Sequence, residues 1–277
     1  MISVRFMSPH DGLLPRRSST TWAVWVALAV ATSPVLLDLV RHVAAHSWAW
    51  YVVVFPPLFA LSIRRMEETR PRPALAIACI FVGLAIELVA IASGQLRIGR
   101  IAVLLCVLGT LWLDGRMRWR PTVILALCIP IPSFVLDRLG DNLLFIVTHP
   151  LAGMVRWTGS PALARAGHIE LPGESLRLVG SDLGWQTGLL AFGLTWFAGL
   201  MADRPPWQTL RAACLVGLLA QVIHILATIG LLSMWASAGW VTLETARVLR
   251  DLAAYSLTVG AVACMSGRHR KGPSERA

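Results

Sequence analysis

The 277-residue chain is 56% hydrophobic and only 14% charged, and its formal net charge is +10 at pH 7. Several apolar runs approach the roughly 20 residues that a helix needs to cross a bilayer. This composition excludes an ordinary soluble domain. A nucleic-acid-binding protein is also excluded, because the cations lie in short loops between apolar runs rather than on one soluble face. The sequence therefore predicts a protein whose main partner is the lipid bilayer.

The apolar runs predict membrane-spanning helices. Backbone polar groups cannot stay unpaired in lipid, and no ten-residue alternating pattern repeats along the chain, so helices are favoured over a barrel. We predict an all-α polytopic membrane protein with about eight transmembrane helices. The predicted spans are residues 21–40, 47–63, 74–93, 101–113, 121–136, 184–202, 209–233 and 251–266.

The basic residues predict the topology. Most of the 25 Lys and Arg residues lie in the two tails and in alternate loops, so the positive-inside rule places both termini in the cytoplasm. The first apolar run is long enough to stay as an anchor, and a removed signal peptide is not expected. We expect a cytoplasmic segment at 1–20, one membrane domain at 21–266 and a basic cytoplasmic tail at 267–277.

The largest outward segment is residues 137–183. Its first part has apolar residues near helical spacing, which predicts an amphipathic helix at the membrane surface, broken near Pro150. Alternating residues on both sides of Pro172-Gly173 then predict a β-hairpin. The hairpin is followed by Ser181 and Asp182, directly before the sixth span.

Asp182 is the first candidate site residue, because a lone carboxylate where water meets lipid is costly unless it is paired or used. Its alternative role is to cap the sixth span, where Asp suits the helix dipole. Ser181 is a candidate nucleophile with the same alternative.

Three further polar residues lie in or beside the later spans. His224 and Gln221 are one turn apart in the seventh span, and each is a candidate for the site or for a hydrogen bond between helices. Arg250 begins the last span, where it is either a site residue or an interfacial anchor like Arg247. The five cysteines and the remaining histidines show no metal-ligand spacing, so neither a metal nor a cofactor is expected.

Two motifs resemble the exosortase/archaeosortase family of membrane-embedded protein-sorting transpeptidases. Ile129-Pro130-Ile131-Pro132 resembles the family's Pro-x-Pro, and Gly167-His168-Ile169-Glu170-Leu171-Pro172-Gly173 resembles its Gly-x-x-Ile-x-Leu-Pro-Gly. His46 and Pro56-Pro57 are also similar. The resemblance covers roughly residues 40–266, and it implies that the membrane domain is exosortase-like.

The resemblance also implies an altered site. In the family the second motif leads at fixed spacing to Cys-Ser-Gly-Leu-Arg, whose Cys is the proposed nucleophile. Here Asp182 stands at the Cys position and Gln186 at the Arg position. The family's Asn-x-x-Arg falls on Gln221 and His224, and its final His or Arg falls on Arg250.

The site implied by the resemblance has two sets of residues. The catalytic candidates are Asp182, Ser181, His224 and Arg250, and the substrate-binding candidates are Gln186 and Gln221. A serine-type triad of Ser181, His224 and either Asp182 or Asp251 is one possible arrangement.

The resemblance implies a protease or transpeptidase that acts on the C-terminal sorting segment of secreted proteins, at the outer face of the bacterial inner membrane. The alternative is an inactive relative that binds the transmembrane tails of its targets as a chaperone or adaptor, which the missing thiol favours. A transporter is disfavoured, because the sequence has no inverted repeats or paired broken helices.

Overall fold

A computed structural model describes residues 19–65, 70–116, 118–130, 144, 146, 148–157, 159, 161–165, 167–171, 174–178, 180–238 and 243–268. These residues belong to two compact units. The first unit takes its residues from Met1–Asp38 and Glu67–Met117. The second takes them from Leu39–Met66 and Arg118–Ala277.

Most of the described residues are helical. The α-helices are α1 (Ser19–Ala31), α2 (Ser33–Ala45), α3 (Phe55–Arg64), α4 (Pro73–Ala92), α5 (Leu96–Leu113), α6 (Trp119–Leu127), α7 (148–157), α8 (Trp185–Met201), α9 (Pro206–Ala238) and α10 (Leu243–Arg268). Two 3-10 helices cover Ser47–Val54 and Gly180–Leu183, and three strands are β1 (Leu163–Arg165), β2 (His168–Leu171) and β3 (Glu174–Arg177).

Prolines mark helix starts in both units. Pro56, Pro73 and Pro206 lie in the first turns of α3, α4 and α9, where the missing backbone N–H costs no intrahelical hydrogen bond. Gly94 and Gly115 follow α4 and α5 with φ of 69° and 64°, in the left-handed region that favours glycine. Prolines therefore mark where these helices begin, and glycines mark where they end.

In the first unit, α4 and α5 form an antiparallel helical hairpin. Gly83 and Gly109 let the two backbones approach closely, because a Cβ at Gly83 would lie 2.8 Å from Sγ of Cys106. Arg100 on α5 donates to Asp38 at 2.9 Å, and this ion pair is buried on the arginine side. Small residues and one charge pair thus position α5.

One core of the second unit lies along α3, α6 and α8. Its largest buried side chains are Phe55, Ile124 and Trp196. The indole N–H of Trp196 donates to the Arg120 carbonyl at 2.9 Å, which joins α8 to the start of α6. This core packs against α8 from Leu189 to Phe197, after the first turn of the helix, where the candidate site begins.

A second core packs α7 against a three-stranded antiparallel sheet of order β1-β2-β3. In β2, Ile169 and Leu171 face this core, while His168 and Glu170 are half-buried. The register pairs Leu171 with Glu174, and Pro172 and Gly173 between them lie outside the described residues. The outermost strand, β1, was not among the predicted elements.

The predicted helix break at Pro150 is wrong. Residues 148–157 form one continuous helical stretch that includes Pro150. A proline removes one hydrogen bond but need not end a helix whose other residues are held by packing. Leu151, Ala152 and Val155 supply that packing, since all three are buried in the second core. Residues 137–143 of the predicted amphipathic helix lie outside the described residues.

Three described helices are long and apolar enough to cross a membrane: Pro73–Ala92, Leu96–Leu113 and Pro206–Leu231. The segments Ala23–Ala31 and Ser33–Ala45 would make a fourth span if they were counted together, although they are bent by 62°. The chain is therefore a mostly helical polytopic membrane protein. The eight-span count stays a prediction, as residues 131–136 of the fifth predicted span are not described.

Replacing Gly193 with alanine should destabilise the second unit. The new Cβ would collide with the Phe55 ring and with Leu127, so we expect a loss of about 1–3 kcal/mol, as in other overpacked cores. Thermal unfolding of the detergent-solubilised protein measures the effect. Gly230→Ala is the matched control, because nothing lies within 4 Å of a Cβ there. Equal melting temperatures for the two variants would contradict this packing.

Candidate functional site

Asp182 is buried between two arginines. It lies in the 3-10 helix that precedes α8 and is 4% exposed. Arg250 donates to Oδ1 at 2.7 Å and Arg247 donates to Oδ2 at 2.8 Å. The alternative that Asp182 merely caps the sixth span is wrong, because the N-cap of α8 is Gly184 and has no side-chain cap. The side chain of Asp182 is used for ion pairs.

Arg250 is the centre of the network. Its Nε and Nη2 donate to Oδ1 of Asp251 at 3.1 and 2.9 Å, and its Nη1 also reaches Oγ1 of Thr228 at 3.3 Å. The other Asp251 oxygen accepts from Ser47 at 2.9 Å. Because Arg250 is 4% exposed and sits two turns inside α10, the alternative of an interfacial anchor is wrong for this residue.

The network is electrically balanced. Two carboxylates, Asp182 and Asp251, face two guanidinium groups, Arg247 and Arg250. Buried charges are costly unless they are paired and hydrogen-bonded, and here every oxygen of both carboxylates accepts at least one hydrogen bond. The pairs hold the 3-10 helix before α8 against α10 and connect α10 to Ser47.

His224 lies on α9 and is fully buried. Its Nδ1 is 2.8 Å from Oγ1 of Thr187 on α8, while its Nε2 is buried and has no hydrogen-bond partner among the described residues. Thr187 thus lies at Nδ1, the position that the aspartate of a serine-type triad takes. Thr228 donates to the His224 carbonyl at 2.9 Å and so connects this turn of α9 to Arg250.

Gly184 allows α8 to begin directly against His224. Its φ of 73° is in the left-handed region, and a Cβ there would lie 2.7 Å from both Cβ and Cγ of His224. A glycine is required on both counts. By the resemblance described above, Gly184 stands at the glycine of the family's Cys-Ser-Gly-Leu-Arg.

The remaining predicted residues differ in their surroundings. Gln186 is 3% exposed in the first turn of α8, and Gln221 is half-buried on α9, one turn before His224. The backbone of Ser181 lies in the 3-10 helix before α8, and its side chain is not part of the described structure. No group of three His, Cys, Asp or Glu side chains in the described part of the chain could hold a metal ion.

Sequence reasoning missed the hydroxyl groups of the site. Thr187, Thr228 and Ser47 each make a hydrogen bond to a site residue, yet each belongs to an apolar run with no motif. No pattern in the sequence marks these hydroxyl groups as partners of the site.

The geometry limits the chemistry. A carboxylate whose two oxygens already accept charge-assisted hydrogen bonds is a poor nucleophile and a poor base, which applies to Asp182. The guanidinium of Arg250 is likewise occupied at all three nitrogens. Nε2 of His224 is the polar atom of this network that has no partner in the described residues.

The chain matches a known protein family. The family described as transmembrane exosortase matches residues 45–227, which is more than half of the chain. The matched stretch includes Asp182 and His224 and ends before Arg250. Searches of curated proteins and of solved structures give no match.

Replacing Arg250 with alanine should cost far more stability than replacing Arg247. Loss of Arg250 leaves Asp251 and one oxygen of Asp182 buried without their cation, which costs about 3–5 kcal/mol for a broken buried pair. Arg247 is 24% exposed at its side chain, and its removal leaves the pair with Arg250, so about 1 kcal/mol is expected. Unfolding in detergent compares the two variants. A smaller loss for Arg250→Ala than for Arg247→Ala would refute the central role of Arg250.

Proposed function

The chain belongs to the transmembrane exosortase family, and from this premise we propose that it sorts secreted proteins by binding their C-terminal sorting segment. The observation that supports binding over cleavage is that the carboxylate of Asp182 is already hydrogen-bonded. This residue stands where the family has its Cys nucleophile, and two arginines already occupy its carboxylate. Carboxylates seldom attack peptide bonds, and one held in this way is still less reactive.

The proposed binding site lies at the outer face of the bacterial inner membrane. An eight-span arrangement with both termini in the cytoplasm puts the loop before Asp182 on the outer side, and the distribution of Lys and Arg supports it. Gln186 and Gln221 are the proposed substrate-binding residues. An amide side chain both donates and accepts hydrogen bonds, which suits a peptide backbone.

The second candidate function is catalytic, with the protein acting as a protease or transpeptidase on the segment that it binds. A separate observation favours it. Nε2 of His224 is buried and has no partner in the described structure, so it is available to move a proton. In this version Arg250 would have to release one of its carboxylate partners to stabilise the developing oxyanion. Ser181 is then the candidate nucleophile, because Asp182 is occupied by ion pairs.

Deletion of the gene should change the location of secreted proteins that end in an apolar span and a basic tail. The adaptor function predicts relocation with no change in the C-terminal mass of these targets, whereas the enzyme predicts a longer C-terminus in the deletion strain. Quantitative mass spectrometry of envelope fractions, including C-terminal peptides, distinguishes the two outcomes. No change in location or mass for any such protein would reject both.

Complementation with site variants tests the role of Asp182. Asp182→Asn keeps the shape but removes the charge that holds Arg250, so sorting should fall at least about tenfold, in keeping with a lost charged hydrogen bond of 1.5–3 kcal/mol. Glu170→Gln on β2 is the matched control, since its carboxylate pairs with the exposed Arg165. Normal sorting by Asp182→Asn would contradict the role of this ion pair.

A reporter fusion tests the topology. An alkaline phosphatase joined after residue 277 should be inactive in the cytoplasm, while the same enzyme inserted at Gly159 should be active outside. Gly159 is a good insertion point, because its φ of 92° marks a turn and nothing lies within 4 Å of a Cβ there. The opposite pattern of activity would invert the proposed orientation.

A further inference from the structure

Thr187 differs from the other threonines in the helices of the second unit. Six of them donate their hydroxyl to the carbonyl four residues earlier: Thr122, Thr148, Thr195, Thr209, Thr228 and Thr258. For Thr187 that residue is Leu183, which lies before the left-handed Gly184 and outside α8. Among the described residues, its hydroxyl has one hydrogen-bond partner, Nδ1 of His224.

The hydrogen bond between Thr187 and His224 bears on which ring nitrogen of His224 carries the proton. The Thr187 hydroxyl lies 2.8 Å from Nδ1, and a hydroxyl that uses its single proton in this bond donates to Nδ1. A neutral imidazole has one N–H, so a Nδ1 that accepts leaves the proton on Nε2. Nε2–H is then a buried donor without an acceptor in the described structure.

We propose that Thr187 is a positioning residue that fixes the Nε2–H tautomer of His224, so that this N–H binds a carbonyl oxygen of the target peptide. The inference rests on the proposed function and adds the chemical class of the group recognised. A buried donor left unpaired costs about 1–3 kcal/mol, and a bound carbonyl oxygen removes that cost. Gly184 contributes by letting the ring lie directly against the start of α8.

Trp185 supplies a second observation of the same kind. Its indole N–H is buried without a partner among the described residues, and it directly follows Gly184. Indole nitrogen can only donate. His224 and Trp185 thus each offer an N–H donor that has no acceptor among the described residues. This favours a ligand that brings oxygen atoms over one that brings amines.

Nitrogen-15 NMR of the full-length protein in detergent micelles tests the tautomer, with His224→Gln to assign the ring signals. We expect a pyridine-like Nδ1 and a pyrrole-like Nε2 in the wild type and in Thr187→Ser, which keeps the hydroxyl. Thr187→Val, which has the same shape without the hydroxyl, should lose this fixed tautomer. A protonated Nδ1 in the wild type, or an unchanged tautomer in Thr187→Val, would overturn the proposal.

N-methylacetamide, which carries a single peptide carbonyl, is the probe for the acceptor. Its titration should shift the Nε2–H signal of His224 in the wild type and in Thr187→Ser, and the shift should be lost in Thr187→Val. Trp185→Phe removes the indole N–H donor and should weaken binding of the probe. An unshifted Nε2–H signal would overturn carbonyl recognition. Neither measurement uses a secreted target, so a failure of sorting in cells is distinguished from a failure here.

Discussion

The buried pair between Asp182 and Arg250 is the interaction on which the arrangement of the site depends. Either charge alone would be very costly in so apolar a protein, so the two residues must meet. Their meeting brings the short 3-10 helix before α8 against the middle of α10. Asp251, which also binds Arg250, accepts a hydrogen bond from Ser47 in the 3-10 helix before α3. The ion pair thus fixes segments that are far apart in the sequence.

The same pair bears on the proposal that Asp182 takes the place of the family's Cys nucleophile. A cationic partner near a thiol favours the thiolate, which is the attacking species of a cysteine enzyme. In that proposal the aspartate forms an ion pair with the cation, which then has no thiol to activate. Because each oxygen of Asp182 accepts from a different arginine, the carboxylate holds these two cations at the start of α8.

Sequence reasoning located Asp182 and Arg250, because fixed spacing from Leu171-Pro172-Gly173 and the order of the apolar runs carry that information. Their direct contact was not predicted, since nothing in the local pattern says which faces of α10 and the 3-10 helix meet. The break at Pro150 was predicted wrongly for the same reason. A proline is read locally as a helix breaker, while the buried Leu151 and Val155 hold the helix through tertiary packing. The bend near Thr32 was also missed, because residues 21–40 read as one continuous apolar run.

The hydroxyl groups show the limit of such reasoning most clearly. Threonine in an apolar helix normally bonds to its own backbone, so the sequence gives Thr187 no more weight than Thr195. What separates them in the structure is the partner, because Thr187 meets Nδ1 of His224 while Thr195 donates to the Ala191 carbonyl. The absent Cβ of Gly184 makes room for the imidazole beside the first turn of α8. One glycine therefore lets His224 reach Thr187, and only the folded chain reveals that this pair of side chains meets.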